Sequence, residues 1–334
     1  MGNRMTAFSR FLKTSKEKGI VKNDFADTFI EELDKLIEIT NERTSIDAYA
    51  RELALKNSSL ELLRLKSILS SYLIFEQLVK PKDLTFDSED FNYDFVPASR
   101  KKYNEEIQVL LKTHIDKRYF TFWGEHLNTN SDRPSNRIKI VSWNYDMQFE
   151  ACYSQIKNFS LELAQQNLQV YPSTIVDINT NNFCILKLNG TAGLISEQRK
   201  RVLNLFDLRE HKLMDNIDFL INLLKDNYHR SFASPLFTFA WEEEPLVNQT
   251  RQKAIEVIRN TNILVIIGYS FPSFNREIDR QLFKEIPNLK RIYYQAPKAE
   301  LDELIDKLDG INPLLRPLVK KITNLDTFHM PTEI

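Results

Sequence analysis

Three apolar runs of this chain end in polar residues whose types and spacing suit ligand chemistry. The three polar ends are Asn144-Tyr145-Asp146, Asn189-Gly190-Thr191 and Gly268-Tyr269-Ser270. Amides and carboxylates can position water or stabilise positive charge, and a hydroxyl beside a glycine can reach a sugar or phosphate oxygen. In open α/β sheets, ligands bind in the crevice beyond the carboxyl ends of the strands. The pattern therefore predicts a ligand crevice, provided that the three runs are strands of one sheet.

The first polar end also has a purely structural interpretation. The stretch Arg137–Tyr153 reads RIKIVSWNYDMQFEACY, a short β-branched run followed by a helical pattern. Asp146 is placed to cap that helix, because its carboxylate can accept a hydrogen bond from an early backbone N–H. The alternative is that Asn144 and Asp146 only form an Asx-type turn. Both interpretations fit this stretch.

The elements that would position these residues alternate between strand and helix from residue 137 onward. The sequence predicts strands at 137–143, 169–171 with 174–177, 183–188, 262–267, 290–295 and 326–330. It predicts helices near 147–166, 197–205, 214–226, 248–260, 275–285 and 299–308. Such alternation predicts an α/β fold with a mostly parallel sheet and helices on both faces.

The first third of the chain has a helical pattern instead. Apolar residues recur at helical spacing within 25–37 and 62–73, and a further helix is expected near 105–117. Thr44 or Ser45 is expected to cap the helix that begins at Ile46. We expect residues 1–130 to form a helical lobe packed on an α/β core of residues 131–334, in one structural unit. A separate helical module is the alternative.

The composition is that of an ordinary soluble protein. The chain has 334 residues, of which 42% are hydrophobic and 27% charged. Its 45 Lys and Arg almost balance its 46 Asp and Glu, so no global field attracts nucleic acid or an acidic membrane. No run approaches the roughly 20 apolar residues of a membrane span. We therefore expect a cytoplasmic protein with neither a nucleic-acid nor a membrane partner.

The cysteine content limits the metal chemistry. The only two cysteines, Cys152 and Cys184, both lie in apolar runs. Two thiols cannot build a four-cysteine zinc site. We interpret them as reduced core residues rather than as a disulfide or a redox pair, and we expect no metal.

Three of these segments together resemble the SIR2-like domains of bacteria. The segments are SWNYD before a helix, the apolar strand leading into LNG, and LVIIGYSFPSFNREID, and Thr44–Gln77 also looks like the helical insertion of bacterial members. The resemblance covers roughly residues 40–300 of the chain. It implies a Rossmann-like mostly parallel sheet with a large helical insertion, in which the three motifs line a pocket for NAD.

The resemblance also implies a role for each matching position. Asn144 would orient the nicotinamide ribose and the attacking water, and Asp146 would stabilise positive charge as the glycosidic bond to nicotinamide breaks. The positions that would contact NAD, as substrate or ligand, are Asn189, Gly190, Thr191, Gly268, Tyr269 and Ser270. The implied activity is NAD cleavage in bacterial anti-phage defence, with a homo-oligomer or a defence-system partner protein expected by analogy.

Two departures from the family pattern count against catalysis. The family's catalytic histidine would occupy position 189, where this chain has Asn189, and an amide cannot act as a general base. Nothing matches the family's GAGxS-type phosphate loop, and Met1–Lys13 looks like the helix that should follow that loop. We expect a chain that is truncated or mis-started, or that has lost the cradle, with two sheet edges lacking their neighbour.

Several alternatives stay open. His229 is a possible substitute base, although a surface or loop histidine is the plainer interpretation. Trp143 and Trp241 could stack on a base, although buried core aromatics are expected by default. The rival functions are a catalytically inactive SIR2-like binding or assembly module and an AbiH-like abortive infection protein. Deacetylation is disfavoured, because the zinc module of true sirtuins needs four cysteines.

Overall fold

The computed structural model describes residues 2–17, 19, 21–42, 45–78, 115–127, 133–172, 179–196, 201–204, 217–225 without 219 and 223, and 233–333. The helices are α1 (Gly2–Glu17), α2 (Ala26–Glu42), α3 (Ile46–Leu55), α4 (Ser59–Leu78), α5 (Lys117–His126), α6 (Gln148–Lys157), α7 (Leu161–Leu168), α8 (Pro245–Arg259), α9 (Arg276–Phe283) and α10 (Leu301–Asp309). The strands are β1 (Lys139–Ser142), β2 (Val170–Tyr171), β3 (Cys184–Lys187), β4 (Gly190–Ser196), β5 (Arg201–Asn204), β6 (Ala233–Phe237), β7 (Ile263–Ile267), β8 (Arg291–Gln295) and β9 (Val319–Ile322). The chain is therefore a mixed α/β protein.

The chain divides into two compact units. One comprises Met1–His114 with Thr191–Phe237, and the other comprises Ile115–Gly190 with Thr238–Ile334. Residues 1–114 of the helical first third thus share a unit with residues 191–237, whereas α5 belongs to the second unit. No helix within the described ranges is long and apolar enough to cross a membrane.

Aromatic side chains hold the helices of the first unit together. Phe8 of α1 stacks on Phe75 of α4 with ring centroids 3.6 Å apart, and it meets Phe29 of α2 edge-on at 6.3 Å. Ser45 caps α3 as expected, because its hydroxyl accepts a hydrogen bond from the Ala48 N–H at 3.1 Å. The helices predicted from apolar spacing within 25–37 and 62–73 are confirmed. The helix expected near 105–117 lies almost entirely outside the described residues.

The first unit also contains a sheet that the sequence did not predict. Its strand order is β5-β4-β6, and β5 runs antiparallel to β4. The helix predicted at 197–205 is wrong for 201–204, because those residues pair with 193–196 as strand β5. Tertiary pairing of this kind commonly overrides local preference in short segments. The described residues within 217–225 are helical, in line with the helix predicted near 214–226.

Two three-stranded parallel sheets form the frame of the second unit. Their strand orders are β1-β3-β2 and β7-β8-β9, so the single sheet that the sequence predicts is wrong and its strands form two sheets. The strands predicted at 137–143, 183–188, 262–267 and 290–295 are confirmed with shorter bounds, and the one at 169–171 is reduced to β2. The segment 174–177 lies outside the described residues. The strand predicted at 326–330 is wrong, and the last strand is β9 instead.

Local capping divides the long helix that was predicted at 147–166. Asn158 adopts a left-handed conformation (φ 53°) and ends α6. Ser160 then starts α7, since its hydroxyl accepts from the Leu163 N–H at 3.2 Å. Helix α8 begins at Pro245, a favoured first helical residue, and Glu244 caps it by accepting from the Val247 N–H at 3.0 Å.

Helices pack on both faces of β3 and on one face of the sheet β7-β8-β9. On one face, Lys187 of β3 reaches Glu150 of α6. On the other face, one core cluster contains residues of both sheets together with residues of α8, α9 and α10; it includes Cys184, Leu186, Leu188, Ala254, Ile258, Ile266, Ile278, Ile292, Tyr294 and Leu304. The two cysteines are free and buried, which confirms them as core thiols. Burial raises the pKa of Cys152 to about 12, so it stays a thiol.

One edge of β1 and one edge of β7 have no strand neighbour among the described residues. Here β1 pairs only with β3, and β7 only with β8. All of β1 and most of β7 are partly exposed, whereas β3 is buried throughout. Two of the predicted polar motifs follow β1 and β7, and these two strands are thus more exposed than β3.

Candidate functional site

The carboxyl ends of β1, β3 and β7 are linked by direct contacts. The Leu188 N–H, just after β3, donates to the Ser142 carbonyl at the end of β1 (N–O 2.9 Å). Trp143 follows β1 and Tyr269 follows β7, and their rings stack with centroids 5.8 Å apart and planes at 10°. The structure therefore brings the three predicted polar ends to one side of the second unit. Thr191 is the exception, because it belongs to the first unit, where it is buried in β4.

Asn144 and Ser270 present free polar groups at this edge. The Asn144 backbone N–H donates to Ser142 Oγ at 3.1 Å, while its side-chain amide is exposed and has no hydrogen-bond partner among the described residues. The Ser270 hydroxyl is likewise exposed and without a partner there. Both groups can hydrogen-bond to a hydroxyl or amide of a ligand without losing an internal contact.

Gly268 contributes open space rather than a hydrogen bond. Its φ is +61°, a conformation that L side chains rarely adopt, and no atom lies within 4 Å of the place where a Cβ would be. Its N–H already donates to the Gln295 carbonyl of β8 (N–O 3.1 Å). A ligand can thus approach the backbone here, although that N–H is not free to bind it.

Asp146 is turned toward the protein rather than toward the open edge. Its Oδ1 accepts from the Gln148 N–H at 3.0 Å, and its backbone carbonyl accepts from Lys187 Nζ. The cap position of α6 is Met147, which makes no side-chain cap bond, so the carboxylate acts from one residue earlier. The Asx-type turn is therefore the geometry of Asp146, and its charge complements the α6 N-terminus.

A buried ion pair lies beneath this turn, and our sequence analysis missed it. Lys187 Nζ and Glu150 Oε1 are 2.8 Å apart, with side chains 3% and 0% exposed. Burial raises the pKa of Glu150, and the charge of Lys187 opposes that rise. The sequence did contain a signal for this pair, because each of two apolar runs, CILKLNG and MQFEACY, holds a single charged residue. A buried charge needs a partner of opposite charge, so the lysine of one run and the glutamate of the other could have been paired.

Arg251 of α8 is the hydrogen-bonding centre behind the second polar end. Its guanidinium donates to the carbonyls of Leu188 (2.8 Å), Glu242 (2.9 Å) and Phe239 (3.2 Å), and it is 7% exposed. Burial lowers the pKa of Arg251, and the nearby Glu242 and Tyr145 oppose that change. Sequence alone did not point to this residue, because its partners are mostly backbone groups distant in the chain.

Arg251 also holds Asn189, the residue at which the SIR2-like resemblance would expect a histidine. Arg251 Nη2 donates to Asn189 Oδ1 at 3.1 Å, and the Asn189 carbonyl accepts from the Thr238 N–H at 2.8 Å. Asn189 is 5% exposed, and the following Gly190 is buried with φ +76°. The Nδ2 group of Asn189 has no hydrogen-bond partner among the described residues. This turn is thus mainly a structural connection between β3 and β4.

Tyr269 is fixed by hydrogen bonds from three directions. Its hydroxyl donates to Asp279 Oδ1 at 2.8 Å and accepts from Asn275 Nδ2 at 3.0 Å, and its carbonyl accepts from the Tyr294 hydroxyl. Burial and the adjacent Asp279 raise the pKa of Tyr269 well above its usual value, so the phenol keeps its proton. The ring that stacks on Trp143 is thereby held in place.

The described histidines and acids provide no evident base or metal site at this edge. His229, the substitute base considered above, lies outside the described residues. His329 is anchored on β8, where its N–H donates to Gln295 Oε1 at 3.0 Å and its ring packs 4.6 Å from that of Tyr293. In the part of the chain that the structure describes, no group of three or more His, Cys, Asp or Glu could hold a metal ion. Trp241 stacks on Phe239 at 5.7 Å rather than on Trp143.

Comparison with known proteins adds no relative to this picture. No model of a protein family, no curated protein and no solved structure matches the chain. The resemblance to SIR2-like domains therefore rests on the motifs alone.

Proposed function

We propose that this chain binds a nucleotide of the NAD type where the carboxyl ends of β1, β3 and β7 meet, in a Rossmann-like arrangement of the SIR2-like kind that is built from two parallel sheets. The observation that carries the proposal is the stacked pair of Trp143 and Tyr269, which joins the ends of β1 and β7. An aromatic surface of this kind suits a planar base or nicotinamide ring, and stacking one base is worth about 1–3 kcal/mol.

The groups beside this aromatic pair suit the sugar of a nucleotide. Asn144 and Ser270 flank the pair with an exposed amide and an exposed hydroxyl. Gly268 leaves room for a ligand to approach the backbone. A ribose offers hydroxyls that both donate and accept, which an amide and a hydroxyl match without titrating. We assign the ring to the aromatic pair and the ribose to Asn144 and Ser270.

The groups at this edge are less suited to binding the phosphates of such a ligand. The N-terminus of α6 would favour an anion, but the Asp146 carboxylate already occupies it through the Gln148 N–H. Lys187 and Arg251 are bound to internal partners, the Glu150 carboxylate and the Leu188 carbonyl. We therefore expect most of the affinity to come from the ring and the sugar.

NAD glycohydrolysis is the second candidate function. It is favoured by the free Asn144 amide, which is placed to orient a ribose or a water. It is disfavoured by Asn189, because this residue cannot take a proton and its Oδ1 is bound to Arg251. We therefore favour a nucleotide-binding or assembly module over an NAD-cleaving enzyme. A role in anti-phage defence rests on the resemblance, and no observation favours the AbiH-like alternative.

The test is to titrate NAD into the full chain and follow both NAD and free nicotinamide by proton NMR. Asn144→Ala is the test variant. Asn288→Ala is the matched control, because Asn288 is exposed and precedes the amino end of β8. Line broadening of NAD that is lost in Asn144→Ala but kept in the control supports the proposal. Release of nicotinamide supports the second candidate, and unchanged NAD spectra with all three proteins overturn both.

A further inference from the structure

Asp279 is a carboxyl group that the fold buries without a matching charge contact. It lies on α9 and is 0% exposed. Its Oδ1 accepts from the Tyr269 hydroxyl at 2.8 Å, while its Oδ2 is buried and has no hydrogen-bond partner among the residues that the structure describes. An ionised carboxylate with a bare buried oxygen is costly, since water no longer solvates it. The fold therefore favours the neutral acid at this position.

A second buried oxygen belongs to the other residue that bonds the Tyr269 hydroxyl, Asn275. Asn275 is 3% exposed, and its Oδ1 has no hydrogen-bond partner within the described ranges. Its Nδ2 donates to the same Tyr269 hydroxyl at 3.0 Å, so Asn275 and Asp279 meet at one phenol oxygen. A single proton on Asp279 Oδ2 would turn two bare acceptors into one donor–acceptor pair.

We propose that Asp279 is protonated below neutral pH, that it then donates from Oδ2 to Asn275 Oδ1, and that it acts as a pH-sensitive latch on the turn Gly268–Phe271. Loss of the proton leaves a buried carboxylate facing the Asn275 carbonyl oxygen, and the repulsion between them loosens the hold on Tyr269. Because Tyr269 stacks on Trp143, the latch reaches the edge where the three strand ends meet.

The groups that face Asp279 set the pH of this transition. They are Tyr269 on the turn, Tyr294 on β8 and Arg276 on the same helix. Helix α8 also packs against α9, and it contributes the apolar Ala254 and Ile258 to their shared core. Burial raises the pKa of Asp279 to about 7, against the opposing effects of the Tyr269 hydrogen bond and the Arg276 charge.

The sign of the stability effect follows from this raised pKa. An aspartate in the unfolded chain has a pKa of about 4. Between about 4 and about 7, the folded protein holds a proton that the unfolded chain has released. The contribution of Asp279 to stability is therefore fully present below the unfolded pKa and is lost as the pH rises through the folded one. A latch that is closed in acid and loosened in mild alkali is the result.

The latch itself does not depend on nucleotide binding, and only its effect on a ligand rests on the proposed function. The first measurement is a pH titration of the aspartate carboxyl carbons of the full wild-type chain by carbon-13 NMR. We expect one resonance with a midpoint near 7. The resonance should be absent from the Asp279→Asn variant. It should be present in the control variant Glu277→Gln, because Glu277 is an exposed acid of the same helix. If every aspartate titrates near its ordinary value, the proposal is wrong.

Amide hydrogen exchange of Gly268–Phe271 measures the loosening directly. After correction for the intrinsic rate, we expect exchange of the wild-type turn to accelerate severalfold across the transition. Asp279→Asn and Glu277→Gln again serve as test and control. A corrected rate that stays constant with pH in the wild type overturns the latch even if Asp279→Asn does not fold. A failure to bind NAD, by contrast, overturns only the proposed function.

Discussion

The Arg251 guanidinium donates a hydrogen bond to the Asn189 side chain inside the second unit, with Nη2 and Oδ1 3.1 Å apart. This contact explains why an amide suits position 189. A histidine there would face a permanently charged guanidinium, which disfavours protonation of the imidazole and lowers its pKa. The amide accepts the guanidinium N–H without such a conflict. Asn189 is thus matched to Arg251 in the present fold, whatever else it contacts.

Removing the Asn189 side chain should destabilise the protein moderately. Asn189→Ala takes one acceptor from a buried charged donor, and hydrogen bonds to charged groups contribute about 1.5–3 kcal/mol. We expect the free energy of unfolding in urea to fall by that amount. Asn288→Ala, at an exposed position, should change it by less than about 0.5 kcal/mol. Equal effects of the two variants would mean that the contact with Arg251 adds nothing to stability.

Replacing Arg251 should cost more, because two backbone carbonyls lose their guanidinium donor at once. In Arg251→Met this donor is lost to the carbonyls of Leu188 and Glu242, whereas the Phe239 carbonyl still accepts from the Glu242 N–H at 3.0 Å. An unsatisfied buried acceptor costs about 1–3 kcal/mol, so we expect a loss of at least about 2 kcal/mol. Arg251→Lys keeps the charge but not the planar fork, and it should recover only part of the loss. Full recovery by lysine would show that charge, not geometry, is what the site requires.

The ion pair of Lys187 and Glu150 can be tested with a double-mutant cycle. Lys187→Met leaves the buried Glu150 carboxylate uncompensated, and breaking such a pair costs about 3–5 kcal/mol. The double variant Lys187→Met/Glu150→Leu should lose less than the sum of the two single variants, since no charge is left behind. Additive losses, measured by urea unfolding, would contradict a direct interaction.

The same single variant should be sensitive to pH. Burial already raises the pKa of Glu150, and Lys187 opposes that rise. Removing Lys187 therefore raises the pKa further, so the folded protein takes up a proton that the unfolded chain lacks. The destabilisation by Lys187→Met should then be larger at about pH 8 than at about pH 5. A loss that is constant across this range would indicate that Glu150 stays ionised.

Comparing the predicted strands with the observed ones shows which strands a sequence pattern can reveal. The strand β7 was predictable because NILVIIG holds a continuous apolar run rich in β-branched residues, as expected for a parallel strand. The strand β9 was not, because its sequence VKKI exposes both lysines at the outer edge of the sheet. It exists through pairing with β8, which no local pattern encodes. The same reason applies to β5, a strand defined by its pairing with β4.

In the candidate site, too, some features could be predicted from the sequence and others could not. The polar strand ends were visible in sequence because each interrupts an apolar run. The inward turn of Asp146 was not, since it depends on Lys187 binding the Asp146 carbonyl from the next strand. Arg251 was invisible for the same reason, as its partners lie up to 63 residues away in the chain. Sequence patterns thus located the edge of the site, while the contacts that decide which groups stay free required the fold.

Stacking and hydrogen bonding at the proposed nucleotide site can be separated by two aromatic variants. Trp143→Leu removes the ring that pairs with Tyr269, so NAD binding should weaken about tenfold or more. Tyr269→Phe keeps the ring but removes the hydroxyl that joins Asp279 and Asn275. It should therefore lower the stability of the protein while changing NAD affinity much less. Calorimetric titration provides the affinities, and the opposite ranking of the two variants would argue against a stacked base.

Asn57 offers a test of backbone strain in the first unit, away from any proposed site. It follows α3 with φ 57°, and the hydrogen bonds around it are those of a Schellman motif, from Ser58 N–H to the Leu53 carbonyl (2.9 Å) and from Asn57 N–H to the Ala54 carbonyl (3.0 Å). Glycine carries no Cβ penalty at this position, whereas a side chain costs about 1–2 kcal/mol and asparagine tolerates it better than most. We expect Asn57→Gly to raise the free energy of unfolding by up to about 1 kcal/mol and Asn57→Ala to lower it by about 1 kcal/mol. Because Asn57 is exposed, packing changes little in either variant. Thermal unfolding of the two variants therefore measures the free-energy cost of the left-handed backbone conformation. A stabilising alanine would mean that this turn does not adopt the left-handed conformation in solution.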